Sequence, residues 1–376
     1  MKYSLAYNGD LELIHKTEEL EDIEYYYGTV SKNPVGSGRP VHQMSFIGHD
    51  NIAQAIEAAH KYNKKFNVLM NAACLSNQEY TSEKRNEISD FLRWLTQIGV
   101  DMVTIANPYI IDMCRSKYPE LKISVSSFAL VDSVESAKYY DRLGVSEITV
   151  RNGIERNYRL LEKMQKAVSC DLQIMVNQTC LYKCPLQQYH NCVISHKSQS
   201  SADNNEIDYC MLQCILMKYK DTTQIIKSTW CRPEDIHIAE SVGICRGKIT
   251  DRNKSTEWLE RAARAYCTRS CEGNLLEILN VNQVVNKNSP NIISKSMDSG
   301  IHNFALMKSL MGLDMSIDSK ALDSLGEHFL NSNCSMKNCD ECNYCAEMAR
   351  KAVHSDPLNA KRIAVIEDYL KKDMMR

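Results

Sequence analysis

Cys180 and Cys184 have the spacing and the setting of metal ligands. They stand in the stretch NQTCLYKCP, directly after a short apolar run, and a proline follows the second of them. The pair Cys210-x3-Cys214 comes next in the chain, and then Cys231. Thiolates at such spacings can converge on one soft metal centre, and a [4Fe-4S] cluster or a structural zinc ion requires four of them. Zinc and inert or redox-active thiols stay open as alternatives.

A second group of thiols lies near the C-terminus. Cys334, Cys339, Cys342 and Cys345 fall within twelve residues, in the stretch NCSMKNCDECNYC. Short C-x2-C steps let one loop wrap a single ion or cluster, so these four are predicted to bind a metal centre of their own. The spacing is compatible with zinc and with an iron–sulfur cluster.

Composition favours metal binding over disulfide formation. The 376 residues include sixteen cysteines, carry a net charge of −2 and contain no uninterrupted apolar stretch of membrane-spanning length. Acidic residues interrupt the N-terminal stretch MKYSLAYNGDLELIHK, where a signal peptide needs an apolar segment. We therefore expect a cytoplasmic protein without a membrane span. In that reducing compartment, clustered cysteines are more often metal ligands than disulfides.

Alternation of apolar runs with helical patterns indicates how these cysteines are positioned. In NIAQAIEAAHKYNKK the apolar residues share one helix face, and ISDFLRWLTQIGV ends at a glycine, as helices often do. About eight such units predict a (β/α)8 barrel, with the open doubly wound sheet as the alternative. The predicted strand ends lie near Tyr7, Tyr27, Met70, Ala106, Val125, Val150, Val176 and Ile226.

Polar residues follow several of these runs, at the end of the barrel where catalytic groups collect. Asn71, Ser126, Arg151 and Asn177 are predicted to face one pocket there. A further set of cations could hold an anionic substrate or cofactor by charge-assisted hydrogen bonds. That set is Arg151, Lys227, Arg232 and Arg246.

Two segments do not fit the repeat. Residues 185–223 are too long for an ordinary loop and are predicted to be an insertion that carries cysteines. Beyond residue 275 the alternation gives way to helical, polar sequence. The predicted division is a barrel over residues 1–275 and a helical, cysteine-rich extension over residues 276–376.

Three stretches resemble peptidase family U-32, the collagenase-like group. They are LGVSEITVRNGIERNYRLLEKMQKAVSCDLQIMVNQTCLYKCPLQQYH, IIKSTWCRPEDIHIAESVGICRGKITDR and AYCTRSCEGNLLEIL. The resemblance covers roughly residues 45 to 280 and implies a barrel protein. Members related to oxygen-independent ubiquinone hydroxylation and to tRNA or ribosomal RNA hydroxylation hold a [4Fe-4S] cluster on four cysteines.

Carried over to this sequence, the resemblance implies that Cys180, Cys184 and Cys214 bind the cluster. The fourth ligand is expected to be Cys231 in preference to Cys210. Where familiar members have arginine followed by glutamate, this chain has Arg151 followed by asparagine. A carboxylate expected in the pocket is therefore missing, which bears on the substrate.

The first hypothesis for function is an iron–sulfur enzyme that performs oxygen-independent redox modification, of the hydroxylation type, on a peptide, RNA or small molecule. Such an enzyme needs an electron donor or a partner protein. The second is a hydrolase of the U-32 peptidase type, with His190 and His196 flanking Cys192 as a candidate catalytic or zinc group. The third is a non-catalytic metal-binding scaffold for a partner protein. Turnover separates the third from the others, and metal content separates the first from the second.

Overall fold

Eight parallel strands close into a barrel around the centre of the molecule. The computed structural model describes residues 1–40, 46–199, 208–281, 301–332 and 334–374. Each strand is hydrogen-bonded to the next in chain order, and the last pairs with the first, with Lys2 opposite Arg246 and Leu5 opposite Ile249. The strands are β1 Lys2–Ala6, β2 Ile23–Gly28, β3 Lys65–Met70, β4 Met102–Ile105, β5 Lys122–Val125, β6 Glu147–Thr149, β7 Asp171–Met175 and β8 Arg246–Ile249. The predicted (β/α)8 barrel is confirmed.

Helices follow the strands and cover the outside of the barrel. The α-helices of the barrel region are Glu12–Lys16, His49–Lys61, Ser82–Gln97, Pro108–Lys117, Val134–Arg142, Tyr158–Ala167, Gln187–Gln199, Tyr209–Lys220, Thr223–Lys227, Ile236–Ser241 and Thr256–Thr268. The helix His49–Lys61 buries the apolar face predicted for it. Ser82–Gln97 begins after Thr81, whose hydroxyl accepts a hydrogen bond from the Lys84 amide. The chain leaves this helix through Gly99, whose φ of 78° suits a residue without a side chain.

The eighth strand lies later in the chain than the sequence indicated. Seven predicted strand ends agree with the structure to within one residue, but the run around Ile226 is the short helix Thr223–Lys227. That helix buries Ile225 and Ile226, and this adjacent apolar pair was therefore interpreted as part of a strand. The true strand, β8, reads Arg-Gly-Lys-Ile and lacks an apolar alternation. Its Gly247 is required because a Cβ atom there would stand 2.6 Å from the ring of Tyr3.

The barrel strands bury a hydrogen-bonded polar layer. Ser124 donates to Glu147 at 2.7 Å, and the Gln173 amide donates to both Glu147 and Ser4. Burial raises the pKa of Glu147, although Lys248 and Ser124 act in the opposite direction. Because every member of this layer has a partner, the polar groups cost little to bury. The layer supports the end of the barrel at which the candidate site lies.

The predicted insertion, residues 185–223, holds the helices Gln187–Gln199 and Tyr209–Lys220, while residues 200–207 lie outside the described part.

The C-terminal region is mainly helical, as predicted. Its α-helices are Ile301–Gly312, Leu325–Asn331, Cys339–Cys342, Tyr344–Ala352 and Asn359–Met374. It also contains an antiparallel strand pair that the sequence did not indicate, β9 Met315–Ile317 with β10 Val353–Ser355. The division at residue 275 stays a prediction. None of the described helices is long and apolar enough to cross a membrane.

Candidate active site at the barrel mouth

A cavity with both polar and apolar walls opens at the carboxyl ends of the barrel strands. Asn71 and Ser126 both line it, and the Asn71 amide donates to the Ser126 hydroxyl at 3.0 Å. Asn71 also accepts a hydrogen bond from the Gly38 amide, which fixes the loop after β2 over the cavity. Two of the four residues predicted to share a pocket therefore do so.

The other two predicted pocket residues have structural contacts instead. Asn177 is fully buried, and its side chain bonds to the backbone of Thr250 and Ile278. Arg151 is ion-paired with Asp132 at 2.7 Å and donates to Gln187. Neither residue lines the cavity, so the prediction of one pocket shared by all four residues is wrong for this pair.

The cations of the cavity come from residues that the sequence did not single out. Arg39 makes a bidentate pair with Asp251 at 2.7–3.0 Å. Burial opposes the charge on Arg39, but Asp251 outweighs burial, and Tyr27 and Cys180 add to its effect, so the pKa of Arg39 is raised. For Asp251, the charge and hydrogen bonds of Arg39 likewise outweigh burial and hold the pKa low. This pair is therefore fully ionised and internally neutral.

Lys248 and Arg252 are the remaining cations on the wall of the cavity, and both are buried. Burial lowers the pKa of Lys248 to about 8 and that of Arg252 to about 10. The Lys248 ammonium lies 4.3 Å from the centre of the Tyr27 ring, a favourable cation–π position. Sequence reasoning missed them because β8 was placed too early; with β8 at 246–249, Asp251 and Arg252 follow a strand end in the sequence ITDRNK.

Gln178 connects this cavity to the first group of cysteines. Its side chain lines the cavity, accepts hydrogen bonds from Thr250 and Asn280, and donates to the Cys180 sulfur at 3.7 Å. The Cys180 thiol does not line the cavity itself but lies behind its edge, joined to it by the Gln178 side chain, and its effect on the pKa of Arg39 agrees with this placement.

Cys180, Cys184, Cys210 and Cys214 influence one another. Burial raises the pKa of Cys180 and of Cys210 to about 12, and the Cys214 thiol adds to the rise in both. Burial raises the pKa of Cys184 too, with a further contribution from Cys214. All four are free cysteines. Across the described ranges, no three such side chains are arranged closely enough to form a ready-made metal site.

Cys231, expected to complete this group, lies in different surroundings. It follows the helix Thr223–Lys227 rather than a strand. After burial, the groups that act most strongly on the pKa of Cys231 are Arg156, Glu155 and Asp235, and no cysteine is among the largest influences. Cys184 and Cys214 thus act on Cys210, whereas none of the largest influences on Cys231 is a cysteine, and its role as fourth ligand stays a prediction.

The C-terminal cysteines border a second cavity, of about 500 Å³. Cys334, Cys339 and Cys345 line it together with Lys227 and Arg156, and Cys342 lines the adjoining one. Burial raises the pKa of Cys345, whereas Arg156 lowers it.

Arg156 is 5% exposed, and its Nε and Nη1 atoms have no hydrogen-bond partner. Its Nη2 atom donates to the carbonyls of Ile226 and Ser228, neither of which carries a charge. A guanidinium that has no carboxylate partner and lies beside thiols favours their anionic form.

The cations predicted to hold an anion do not form one site. Arg246 begins β8, at the opposite end of the barrel, and is paired with Glu24 and with Asp171. Arg232 is 3% exposed and binds Asp323 at 2.8 Å and the Leu322 carbonyl, which places it in a structural network.

Lys227 borders the C-terminal cysteines, and Arg151 pairs with Asp132. The structure does not bring these four side chains to one cavity within the described residues, and their part in holding an anion stays a prediction.

The candidate hydrolase group is also not assembled. His190 lies 3.6 Å from Asp208, and His196 is 3.5 Å from the Ser76 hydroxyl. In the part of the chain that the structure describes, no hydrogen bond joins Cys192 to either histidine. The cysteine–histidine pair required for nucleophilic catalysis is therefore not formed.

Comparison with known proteins gives a relationship that spans most of the chain. An uncharacterized protease of Methanocaldococcus jannaschii is 30% identical over 365 residues, which cover 93% of this chain and 98% of that protein. The solved structure of a U32 peptidase is 19% identical, covering 56% of this chain and 83% of its own, with a TM-score of 0.48.

Partial relationships extend to RNA-modifying proteins. The tRNA hydroxylation protein P2 of Bacillus subtilis is 23% identical over 36% of this chain and 42% of its own length. The tRNA hydroxylation protein P of Escherichia coli is 23% identical over 44% of this chain and 35% of its own length. Residues 41–270 match the sequence model of peptidase family U32. The chain therefore belongs to peptidase family U32.

Proposed function

We propose that this protein is an iron–sulfur enzyme that performs an oxygen-independent redox modification, of the hydroxylation type, on a substrate bound at the barrel mouth. One observation carries the proposal: Cys180 belongs to a group of four thiols and also lies behind the edge of the cationic cavity, joined to it by Gln178. The partial similarity to tRNA hydroxylation proteins supports the type of reaction.

The first group of cysteines has the chemistry that a cluster needs. Cys180, Cys184, Cys214 and, in place of Cys231, Cys210 would provide four thiolates. Lys218 supports this assignment because it is 3% exposed and lowers the pKa of Cys180 and Cys184 against the effect of burial. Its ammonium donates to the Thr179 hydroxyl and to a carbonyl, and it forms no ion pair within the described residues. A buried cation without a carboxylate is stabilised by nearby thiolates.

A bound cluster would supply one-electron transfer. The protein itself provides the substrate cavity and positions it. Gln178 is held by Thr250 and Asn280, so that the cavity wall and the Cys180 loop keep one arrangement. Hydroxylation without O2 removes two electrons from the substrate when water supplies the oxygen, so the cluster would need a redox partner that accepts them. We propose that the enzyme and this partner are both cytoplasmic proteins.

The direct test is anaerobic purification followed by iron, sulfide and zinc analysis. We expect a brown protein with the broad visible absorption of iron–sulfide charge transfer. Cys180→Ala should lose most of the iron assigned to the barrel mouth, because one of the four thiolate ligands is then missing. Cys114→Ala removes a buried thiol far from both groups and serves as the control. Colourless protein with stoichiometric zinc, or unchanged iron in Cys180→Ala, would exclude the proposal.

The C-terminal cysteines are proposed to hold a separate centre, an iron–sulfur cluster or zinc. The unpaired Nε and Nη1 atoms of Arg156 support it, since a tetrathiolate centre carries negative charge that this buried guanidinium would balance. Changing Cys339 and Cys342 together to serine should remove one fixed metal complement and leave the circular dichroism of the barrel unchanged. Metal content equal to that of the unaltered protein would show that these thiols bind none.

A further inference from the structure

The barrel-mouth cavity contains more buried positive charge than its own carboxylates balance. Arg39 and Asp251 neutralise each other, which leaves Lys248 and Arg252 on the wall. The Nη2 atom of Arg252 donates to the Ser37 hydroxyl at 3.3 Å, but its buried Nη1 atom has no hydrogen-bond partner, and the residue is 4% exposed. A buried guanidinium nitrogen without an acceptor is costly unless a ligand supplies one.

The other charged groups around Lys248 do not remove this excess. Glu147, below it in the barrel, already accepts hydrogen bonds from Ser124 and Gln173. Burial raises the pKa of Glu147, so its own negative charge is disfavoured. Arg252 adds a like charge beside Lys248, and the neighbouring face is the ring of Tyr27. Asp251 also acts on Arg252, but Arg39 already holds that carboxylate in a bidentate pair. Among the described residues, neither Lys248 nor Arg252 has a carboxylate of its own, and an anion from outside would balance the two charges.

The remaining walls indicate what kind of molecule carries the anion. Tyr27, Leu69, Phe128 and Met175 give the cavity an apolar side, while Asn152 contributes a side-chain oxygen without a partner. A concave site with apolar walls and a few convergent polar groups has the character of a small-molecule site. A polynucleotide backbone is instead bound along an open, solvent-accessible basic surface.

We infer that the barrel mouth binds a small organic molecule through a carboxylate or phosphate group held between Arg252 and Lys248. The apolar part of the ligand would lie against Phe128 and Met175, on the wall that continues toward Gln178 and Cys180. This inference rests on the proposed function only in treating the mouth as the substrate site, since binding itself needs no cluster.

The test is calorimetric titration of the purified full-length protein with phenyl phosphate and with phthalate, which separate phosphate from carboxylate recognition. At least one probe should bind, and Arg252→Gln and Lys248→Met should each weaken it about tenfold or more, because each removes one charge-assisted contact. Arg93→Gln, which removes an equal charge at an exposed ion pair, should leave the affinity unchanged. Melting temperatures of all variants identify any that fail to fold.

A pH series provides a second, independent measurement on the folded protein. Lys248 is charged below its pKa of about 8 and neutral above it, so the affinity for the probe should fall as pH rises through this value. Lys248→Met should lose this pH dependence while keeping a weaker, flat affinity.

Three results would overturn the inference: no binding of either probe, equal affinity in Arg252→Gln, or a phosphate-bearing RNA oligonucleotide that binds through Arg252 more tightly than both probes. Titration of Cys180→Ala separates the two proposals. If the wild-type protein holds no iron but still binds the probe, the redox function is refuted and the anion site is supported.

Discussion

Replacing Cys210 with serine is expected to remove most of the iron at the barrel mouth, whereas Cys231→Ser should retain it. Cys210 interacts with Cys184 and Cys214, and all of these thiols lie on or beside the two helices of the insertion and the loop after β7. Loss of one of four thiolates leaves a cluster with an incomplete ligand set, which weakens binding far more than a change nearby. The measurement is iron and sulfide per chain after anaerobic purification.

Cys231 provides the matched comparison because it is as buried as Cys210, at 2% exposure each. Its backbone amide bonds to the Val176 carbonyl and its own carbonyl accepts from Tyr266, so its place in the chain is structural. Cys231→Ser is therefore expected to lower stability modestly without changing the iron content. The opposite pattern, iron lost from Cys231→Ser and kept in Cys210→Ser, would restore the ligand set expected from the sequence.

The barrel could be predicted because its signal is local and repeated. Short apolar runs in the sequence mark seven of the strands, and helices such as Ser82–Gln97 have capping residues or glycines at their ends. The position of β8 was not predicted because its residues are determined by contacts with distant parts of the chain. Gly247 makes room for the ring of Tyr3, and Lys248 lines the cavity. Nothing within residues 246–249 signals either fact.

The candidate site illustrates the same limit. Candidate thiol ligands can be recognised by their spacing, so Cys180, Cys184 and Cys214 could be predicted as a group from the sequence. Which fourth thiol joins them depends on how the helix Tyr209–Lys220 folds back, and this is a tertiary property. The roles of cations are harder still to predict, because the sequence does not distinguish an arginine in an ion pair from one with an unpaired nitrogen. Arg246 is ion-paired with Glu24 and Asp171, whereas Arg252 donates to the Ser37 hydroxyl and has a buried nitrogen without a hydrogen-bond partner.

Asn177→Ala is expected to destabilise the protein by about 4 kcal/mol, since its side chain is fully buried and every hydrogen bond that it makes goes to another element. The amide donates to the carbonyls of Thr250 and Ile278, and the side-chain oxygen accepts from the amide and hydroxyl of Thr250. Alanine would leave several of these groups buried without a partner, at about 1–3 kcal/mol for each.

Urea unfolding of Asn177→Ala beside Asn86→Ala measures this effect. Asn86 is exposed in the middle of the helix Ser82–Gln97, and its replacement should change the free energy of unfolding by less than about 0.5 kcal/mol. Because Asn177 ties the end of β7 to the loop after β8, its loss should also loosen the wall that carries Gln178 and Arg252. We therefore expect weaker binding of the anionic probe in Asn177→Ala at temperatures where the variant is still folded. Stability within about 1 kcal/mol of the unaltered protein would mean that water replaces the lost amide, and that Asn177 does not hold the two strand ends together.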